Sequence, residues 1–237
     1  GEIAGIWFDG QWDQHEWDGK RFGKLKADFK LDEVYKLIHK LQPTALIGSN
    51  HHLSPNPGED FQMFEKDLPG KGTKDFATSA EDIGDLPLEV CETINGSWGF
   101  NLKDRKHKSE KQLIQYLVKA AGYGSNLLLN VGPMPNGKIQ EEHIESLKKI
   151  GSWVKQNGQT IYKTKRGPIH PTDEIASTQN GNIIYIHLLD EKKKEYFIEG
   201  FNPKIKKISY LKSNKKVSHK KSNSGLTLTL EEKEIND

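Results

Sequence analysis

A carboxylate flanked by aromatic residues lies near the start of this sequence of 237 residues. Asp9 follows the apolar run 3–8 and precedes Gly10, and Trp12 lies three positions further on. An Asp-Gly pair after a strand is often only a turn. Exposed tryptophans beside a carboxylate, however, are costly unless something stacks on them, and the apolar face of a sugar ring can do so. The pattern therefore favours Asp9 as the nucleophile of a sugar-cleaving site.

Hydrolysis of a glycosidic bond also needs a carboxyl group that protonates the leaving oxygen. Glu59, Asp60 and Glu65 are candidates, and all three fall in one segment rich in Pro, Gly and charged residues. Glu65 follows the apolar pair 63–64, and apolar surroundings raise the pKa of a carboxyl group as an acid catalyst requires. The sequence favours Glu65, with Glu59 as the alternative.

Two further positions could contact a sugar. His51 and His52 follow the short apolar run 44–48, where imidazoles could donate hydrogen bonds to sugar hydroxyls or to a carboxylate. Adjacent histidines seldom bind one metal ion without partners, and no metal motif accompanies them, so we expect neither a metal nor a cofactor. Trp98 stands in a glycine-rich stretch, which favours an exposed stacking platform over a core aromatic.

The elements that must position these residues alternate between strand and helix. Apolar runs predict buried strands at 3–8, 44–48, 90–94 and 126–131, and apolar spacing predicts helices at 31–41, 109–121 and 140–156. The segment 53–88 is predicted to be a long functional loop. This alternation implies a parallel sheet with right-handed crossovers. Four strands do not close a barrel, so the unit is a small open sheet or half of a β/α barrel, and the abrupt start of the chain favours the half barrel.

From about residue 167 the pattern changes to short strands separated by turn signals. The predicted strands are 182–189, 196–201, 207–211 and 226–230. We therefore predict two domains, a β/α domain at 1–165 and a small antiparallel β-domain at 166–237. Excess lysine in the last third indicates a solvated sheet face with protected edges rather than a polyanion site.

Bulk composition excludes several classes of function. The formal net charge is only +2, so nothing argues for nucleic acid as a partner. No apolar run approaches the roughly 20 residues that a membrane helix needs. Cys91 is the only cysteine, which excludes a disulfide within the chain and a thiol-rich metal site.

Five motifs, taken in order, resemble those of the α-L-fucosidases of glycoside hydrolase family 29. They lie at 7–12, 49–52, 58–65, 92–100 and 126–133. The resemblance implies a retaining exo-hydrolase with Asp9 as nucleophile and Glu65 as general acid/base. It further implies that Trp12 and Trp98 line the fucose pocket and that His51 presents a polar side chain to it.

The resemblance also implies a fold, partners and a location. It predicts part of a TIM-like β/α barrel followed by a C-terminal β-sandwich, with fucosylated oligosaccharides or glycoconjugates as substrates and a secreted or periplasmic rather than a cytoplasmic location. No segment matches the histidines, aromatics and tyrosine that relatives carry on their first barrel strands. We therefore expect the chain to hydrolyse little or nothing by itself and to need an N-terminal half of the barrel. The alternatives are a catalytically silent carbohydrate-binding fragment and a subunit that completes a barrel.

Overall fold

The structure, a computed structural model, describes residues 1–10, 28–51, 54–71 and 83–231. Contacts between Cα atoms divide the chain into two compact units, Gly1–Gln156 and Asn157–Asp237. The predicted domains were 1–165 and 166–237, and their functional assignment stays a prediction. Each unit is described by itself below.

The first unit is built on a parallel sheet. Its described elements are β1 (Gly5–Phe8), α1 (Leu31–Leu41), β2 (Leu46–Ser49), β3 (Phe61–Glu65), β4 (Leu88–Thr93), α2 (Glu110–Tyr123), β5 (Ser125–Asn130) and α3 (Glu141–Asn157). All neighbouring strands pair in parallel, in the order β1-β2-β3-β4-β5. Strand order that follows the chain is the order of a β/α barrel, whereas a doubly wound sheet reverses its order at a switch point. The sheet is therefore half of a TIM-like barrel, as predicted.

Strand β3 corrects the predicted loop at 53–88. Phe61–Glu65 pairs with β2 on one side and with β4 on the other, so it lies in the middle of the sheet. The strand is only five residues long and lacks β-branched residues, and it follows a segment rich in Pro and Gly, which hides its pattern. Glu65 consequently ends a central strand instead of lying on a loop.

Helices α1 and α2 cover one face of this sheet. Tyr35 of α1 packs against Ile47 of β2, and Ala120 of α2 packs against Val90 of β4. Helix α1 has the predicted bounds, and α2 begins at the predicted N-cap: the Ser109 side chain accepts a hydrogen bond from the backbone N–H of the third helical residue. The helices thus fix which strand residues are buried beneath them.

The opposite face of the sheet carries exposed apolar side chains. Side chains alternate along a strand, so residues next to the helix-covered positions point to this inner face. Trp7, Leu46 and Leu128 lie there and are 41%, 54% and 46% exposed. A parallel sheet is ordinarily covered on both faces. Among the described residues, this inner face is therefore the side of the half barrel that helices α1 and α2 leave uncovered.

The second unit is a sandwich of two antiparallel sheets. One sheet contains β6 (Lys165–Arg166), β7 (Ile175–Asn180) and β8 (Ile183–Leu188), and the other contains β9 (Glu195–Glu199), β10 (Ser218–Ser222) and β11 (Gly225–Thr229) in the order β10-β11-β9. Ile186 from the first sheet packs into one core with Ile198 and Leu226 from the second. A shared core between two sheets is the defining feature of a β-sandwich.

The predicted strand at 207–211 is wrong. This segment makes only one isolated bridge, between Ser209 and Lys216, while the next paired strand is β10. Strand β10 escaped prediction because its sequence is polar and rich in lysine, as is common for a strand at the edge of a sheet.

A histidine with a buried ring nitrogen is expected to make the stability of this unit depend on pH. Burial lowers the pKa of His187 on β8 to about 4, against the smaller opposing effect of a backbone hydrogen bond with Thr160. Unfolded His binds a proton near pH 6.5 whereas folded His187 does not, so stability should fall as the pH falls from about 6.5 to about 4. The expected loss is up to about 3 kcal/mol.

Urea unfolding of the wild type and of His187→Gln at several pH values between 7 and 4 measures this effect. The variant keeps a side chain that can bond the backbone but does not titrate, so its unfolding free energy should decline less steeply. Parallel pH profiles for the two proteins would show that His187 is not the group responsible.

Candidate active site

Two carboxylates predicted from the sequence meet at the carboxyl edge of the parallel sheet. Asp9 directly follows β1, Asn50 directly follows β2 and Glu65 ends β3. The Asn50 side-chain nitrogen Nδ2 donates to Asp9 Oδ1 at 3.3 Å and to Glu65 Oε2 at 2.7 Å. Because both oxygens accept from one nitrogen, they lie within about 6 Å of each other. The structure therefore brings Asp9 and Glu65 together on a single amide.

Asn50 is the functional candidate that sequence reasoning missed. Its side chain is buried, with the residue only 1% exposed, and its backbone N–H donates to Phe8 O of the neighbouring strand. The amide must turn its NH₂ group towards the carboxylates, since the opposite orientation would place three oxygens against one another. The available signal was its position at a strand end, directly before the two histidines.

Glu59 belongs to a different, buried network. His51 Nε2 lies 2.9 Å from Glu59 Oε1, and the Tyr35 hydroxyl donates to the same oxygen at 3.1 Å. The backbone N–H of Asn56 donates to the other oxygen, Oε2, at 3.2 Å. The side chains of His51 and Glu59 are almost fully buried. Glu59 is thus held beneath the strand ends, while Glu65 faces Asp9.

His51 lies at the predicted strand end, next in the chain to Asn50. Its Nε2 is held by Glu59, so the ring can fix the turn that presents the Asn50 amide. A direct contact of His51 with a sugar stays a prediction. Trp12, the other predicted pocket aromatic before β2, lies outside the described residues.

Noncovalent contacts with residues at the ends of two strands hold Trp98 in place. The Lys66 ammonium lies 4.7 Å from the centre of the indole ring and donates to Gly96 O at 2.9 Å. Asn130, the last residue of β5, donates from its side chain to Trp98 O at 2.8 Å. Lys66 directly follows Glu65 and has a left-handed backbone with φ of 51°, a conformation that is uncommon for a residue with a side chain. The indole is 37% exposed and held in place, as a stacking platform requires.

A third carboxyl group lies on the inner face of the sheet. Glu89 on β4 was hidden from sequence reasoning because it falls in a strand-like run. Burial raises its pKa, and a smaller opposing effect comes from a hydrogen bond with the Trp7 side chain. Trp7 therefore has a polar anchor on the inner face.

The pKa of the Cys91 thiol is sensitive to the charge of Glu65, its cross-strand neighbour. Burial raises the pKa of the Cys91 thiol to about 12, with a further contribution from the negative charge of Glu65. At pH 8 only about one thiol in ten thousand would be ionised. We therefore expect iodoacetamide to alkylate the native chain at least about a hundredfold more slowly than the urea-unfolded chain.

Because this is the only cysteine, mass spectrometry of the whole chain gives the rate directly. Glu65→Gln removes one of the charges that disfavour the thiolate and should speed native alkylation. Equal rates for native and unfolded chains would contradict the prediction.

Neither a metal centre nor a membrane segment is evident in the part of the chain that the structure describes. No group of three or more His, Cys, Asp or Glu residues in these ranges is placed to hold a metal ion. No helix in them is both long and apolar enough to cross a membrane.

Residues 2–159 match the family model described as alpha-L-fucosidase, which is more than half of the chain. The chain belongs to the alpha-L-fucosidase family. The resemblance of its five ordered motifs to this family is thereby confirmed.

Known members of the alpha-L-fucosidase family match parts of this chain. The plasma alpha-L-fucosidase of Homo sapiens is 38% identical over 79 residues, covering 32% of this chain and 17% of that protein. Alpha-L-fucosidase isoenzyme 1 from Paenibacillus thiaminolyticus superposes with a TM-score of 0.68 and 28% identity, covering 84% of this chain and 49% of that one. A trapped covalent intermediate of the Bacteroides thetaiotaomicron enzyme gives a TM-score of 0.72 at 17% identity, covering 97% and 53%. The chain thus spans about half the length of these solved fucosidases.

Proposed function

We propose that this chain carries the nucleophile and the general acid/base of a retaining exo-α-L-fucosidase. The observation that supports this most directly is the shared hydrogen bonding of Asp9 and Glu65 to Asn50. Retaining glycosidases hold their two carboxyl groups about 5–5.5 Å apart, whereas inverting enzymes need about 6.5–9.5 Å to admit a water molecule. Carboxylate oxygens within about 6 Å of each other fit the retaining arrangement.

The proposed reaction is a double displacement. Asp9 attacks the anomeric carbon of the fucosyl unit while Glu65 protonates the departing glycosidic oxygen. Glu65 then removes a proton from water, which attacks the fucosyl ester and releases L-fucose with retained configuration. Asn50 holds both carboxylates in register throughout, so neither has to be reoriented between the two steps.

Aromatic side chains supply the proposed sugar platform. Trp98 offers an indole surface fixed by Lys66 and Asn130, against which the methyl side of fucose would pack. Trp12 is proposed to add a second aromatic wall, and His51 to support the pocket. Such contacts discriminate a methyl group by only about 1–3 kcal/mol, so bonds to the sugar hydroxyls must supply most of the selectivity.

The exposed apolar inner face of the half barrel indicates where the remaining part of the proposed site would lie. Trp7, Leu46 and Leu128 form an apolar surface that an N-terminal half of a barrel would cover. We propose that this half supplies the remaining contacts to fucose and that full turnover depends on it. The isolated chain should hydrolyse an aryl α-L-fucoside at a small fraction of the rate of the Paenibacillus thiaminolyticus enzyme, and comparable rates would overturn this part of the proposal.

Covalent trapping tests the catalytic assignment without requiring fast turnover. Incubation with 2-fluoro-fucosyl fluoride should attach one 2-fluorofucosyl group to the chain, and peptide mass spectrometry should locate it on Asp9. Asp9→Asn should take up no label. Labelling of another residue, or undiminished labelling of the variant, would refute the proposal.

A carbohydrate-binding fragment without catalysis is the competing function, favoured by the exposed Trp7 and Trp98. Such a fragment would bind fucose equally well after Asp9→Ala and would not be labelled. Titration calorimetry with fucose, run beside the trapping experiment, separates the two functions.

A further inference from the structure

One face of the β10-β11-β9 sheet is built unlike a plain solvated surface. Cross-strand pairing places Lys220, Thr227 and Phe197 in one row across the three strands. The neighbouring row contains Leu226, which is fully buried in the sandwich core, so the row of Lys220 points outward. Phe197 is 53% exposed in the middle of β9. We call the side of this sheet that carries Lys220, Thr227 and Phe197 the outward face.

Further lysines extend the outward face beyond β10. The bridge between Ser209 and Lys216 and the bond from Val217 N–H to Ile208 O continue antiparallel pairing into this segment. Because side chains alternate, Lys207 and Lys216 share the side of Lys220, opposite the buried Val217. Lys216 and Lys220 are four residues apart on one extended segment, about 13 Å.

The charge on this part of the chain is one-sided. Residues 200–230 contain eight lysines and no Asp or Glu. Lys207, Lys216 and Lys220 are exposed, and none of them forms an ion pair with another described residue. Protection of a sheet edge explains lysines on β10, but it does not explain an exposed aromatic ring two strands away on the same face.

The neighbours of Phe197 narrow the class of ligand. Glu195 and Glu199 flank it on the outward side of β9, and both are exposed. A continuous phosphate backbone lying across the face would be repelled there. A charged polysaccharide instead carries hydroxyl-rich units between its anionic groups, and those hydroxyls can donate to carboxylates while a sugar ring stacks on Phe197.

We propose that the outward face binds an anionic glycan, one that carries carboxylate or sulfate groups. Lys207, Lys216 and Lys220 would pair with the anionic groups, and Phe197 would stack on a sugar ring between them. The choice of a glycan over other polyanions rests in part on the proposed function, because a fucosylated glycan is the substrate of that site. The outward face would then hold a glycan substrate on the protein through its charged units.

Binding of the full chain to immobilised polysaccharides tests this proposal. Heparin presents sulfate groups and polygalacturonate presents carboxylates, with neutral dextran and poly(dT) DNA as comparisons. The triple variant Lys207→Gln, Lys216→Gln, Lys220→Gln should raise the Kd for at least one anionic glycan by about tenfold or more. The triple variant Lys148→Gln, Lys149→Gln, Lys155→Gln on α3 changes the net charge equally and should alter the Kd by less than about twofold.

Phe197→Ser separates a glycan site from charge attraction alone. It leaves the lysines in place and should raise the glycan Kd by about threefold to tenfold, because the stacking surface is lost. The proposal is overturned if neither glycan binds, if the α3 variant weakens binding as much as the outward-face variant, or if poly(dT) binds as tightly as the glycans. Thermal melting of each variant controls for folding.

The test is independent of catalysis. The outward-face variants should be labelled on Asp9 by 2-fluoro-fucosyl fluoride as the wild type is. Labelling without glycan binding would refute only the inference about the outward face. Glycan binding without labelling would refute only the proposed function.

Discussion

Asp9→Asn should lower the rate of fucoside hydrolysis by about ten thousandfold or more, because the substitution removes the carboxylate that is proposed to form the fucosyl ester. The substitution is nearly isosteric, and the Asn50 amide can still donate to the remaining side-chain oxygen, so the fold should be retained. Glu65→Gln should cost about a hundredfold to ten thousandfold, the usual contribution of a general acid. Hydrolysis of 4-nitrophenyl α-L-fucoside by the chain at high concentration measures the loss for Glu65→Gln and sets a lower limit on the loss for Asp9→Asn.

Azide separates the two roles by the configuration of the product. With Glu65→Ala, azide should attack the fucosyl ester that is proposed to form on Asp9, and two displacements should return the α-fucosyl azide. With Asp9→Gly, azide should take the place of the proposed nucleophile, and a single displacement should give the β-fucosyl azide. Proton NMR of the products distinguishes these anomers, and the reverse assignment would show that the roles of Asp9 and Glu65 are exchanged.

Glu59→Ala should instead destabilise the fold, by about 3–5 kcal/mol, because it removes the buried carboxylate that bonds His51 and the Tyr35 hydroxyl. Glu59→Gln, which keeps an acceptor oxygen of similar shape, should cost less. The free energy of unfolding in urea measures both losses. Glu65→Ala is the matched control, since the Glu65 side chain is only partly buried, and its variant should unfold nearly as the wild type does.

Substitutions of the two glutamates are therefore expected to impair different properties of the protein. Glu59 variants should lose stability first, and Glu65 variants should lose turnover while remaining folded. A Glu59→Ala protein as stable as the wild type but catalytically silent would show that the alternative acid was the correct one.

Local sequence patterns were enough to predict several elements and candidate residues of this protein. The spacing of apolar residues determined helix α1 with its bounds, and Ser109 marked the start of α2 because capping depends on residues within one turn. Asp9 became a candidate nucleophile for the same reason: an apolar strand, a carboxylate and aromatics lie within a few positions. Five such motifs in order predicted the family, and the match of residues 2–159 to the family model shows it.

Only the tertiary structure decided how those motifs are combined. Strand β3 is too short to show a period, and it is a strand because β2 and β4 pair with it on both sides. That register places Glu65 opposite Asp9 across Asn50, and it leaves Glu59 buried against His51. The outward face likewise arises from cross-strand pairing. Distances across a sheet depend on residues far apart in the chain, so no local spacing in the sequence could fix them.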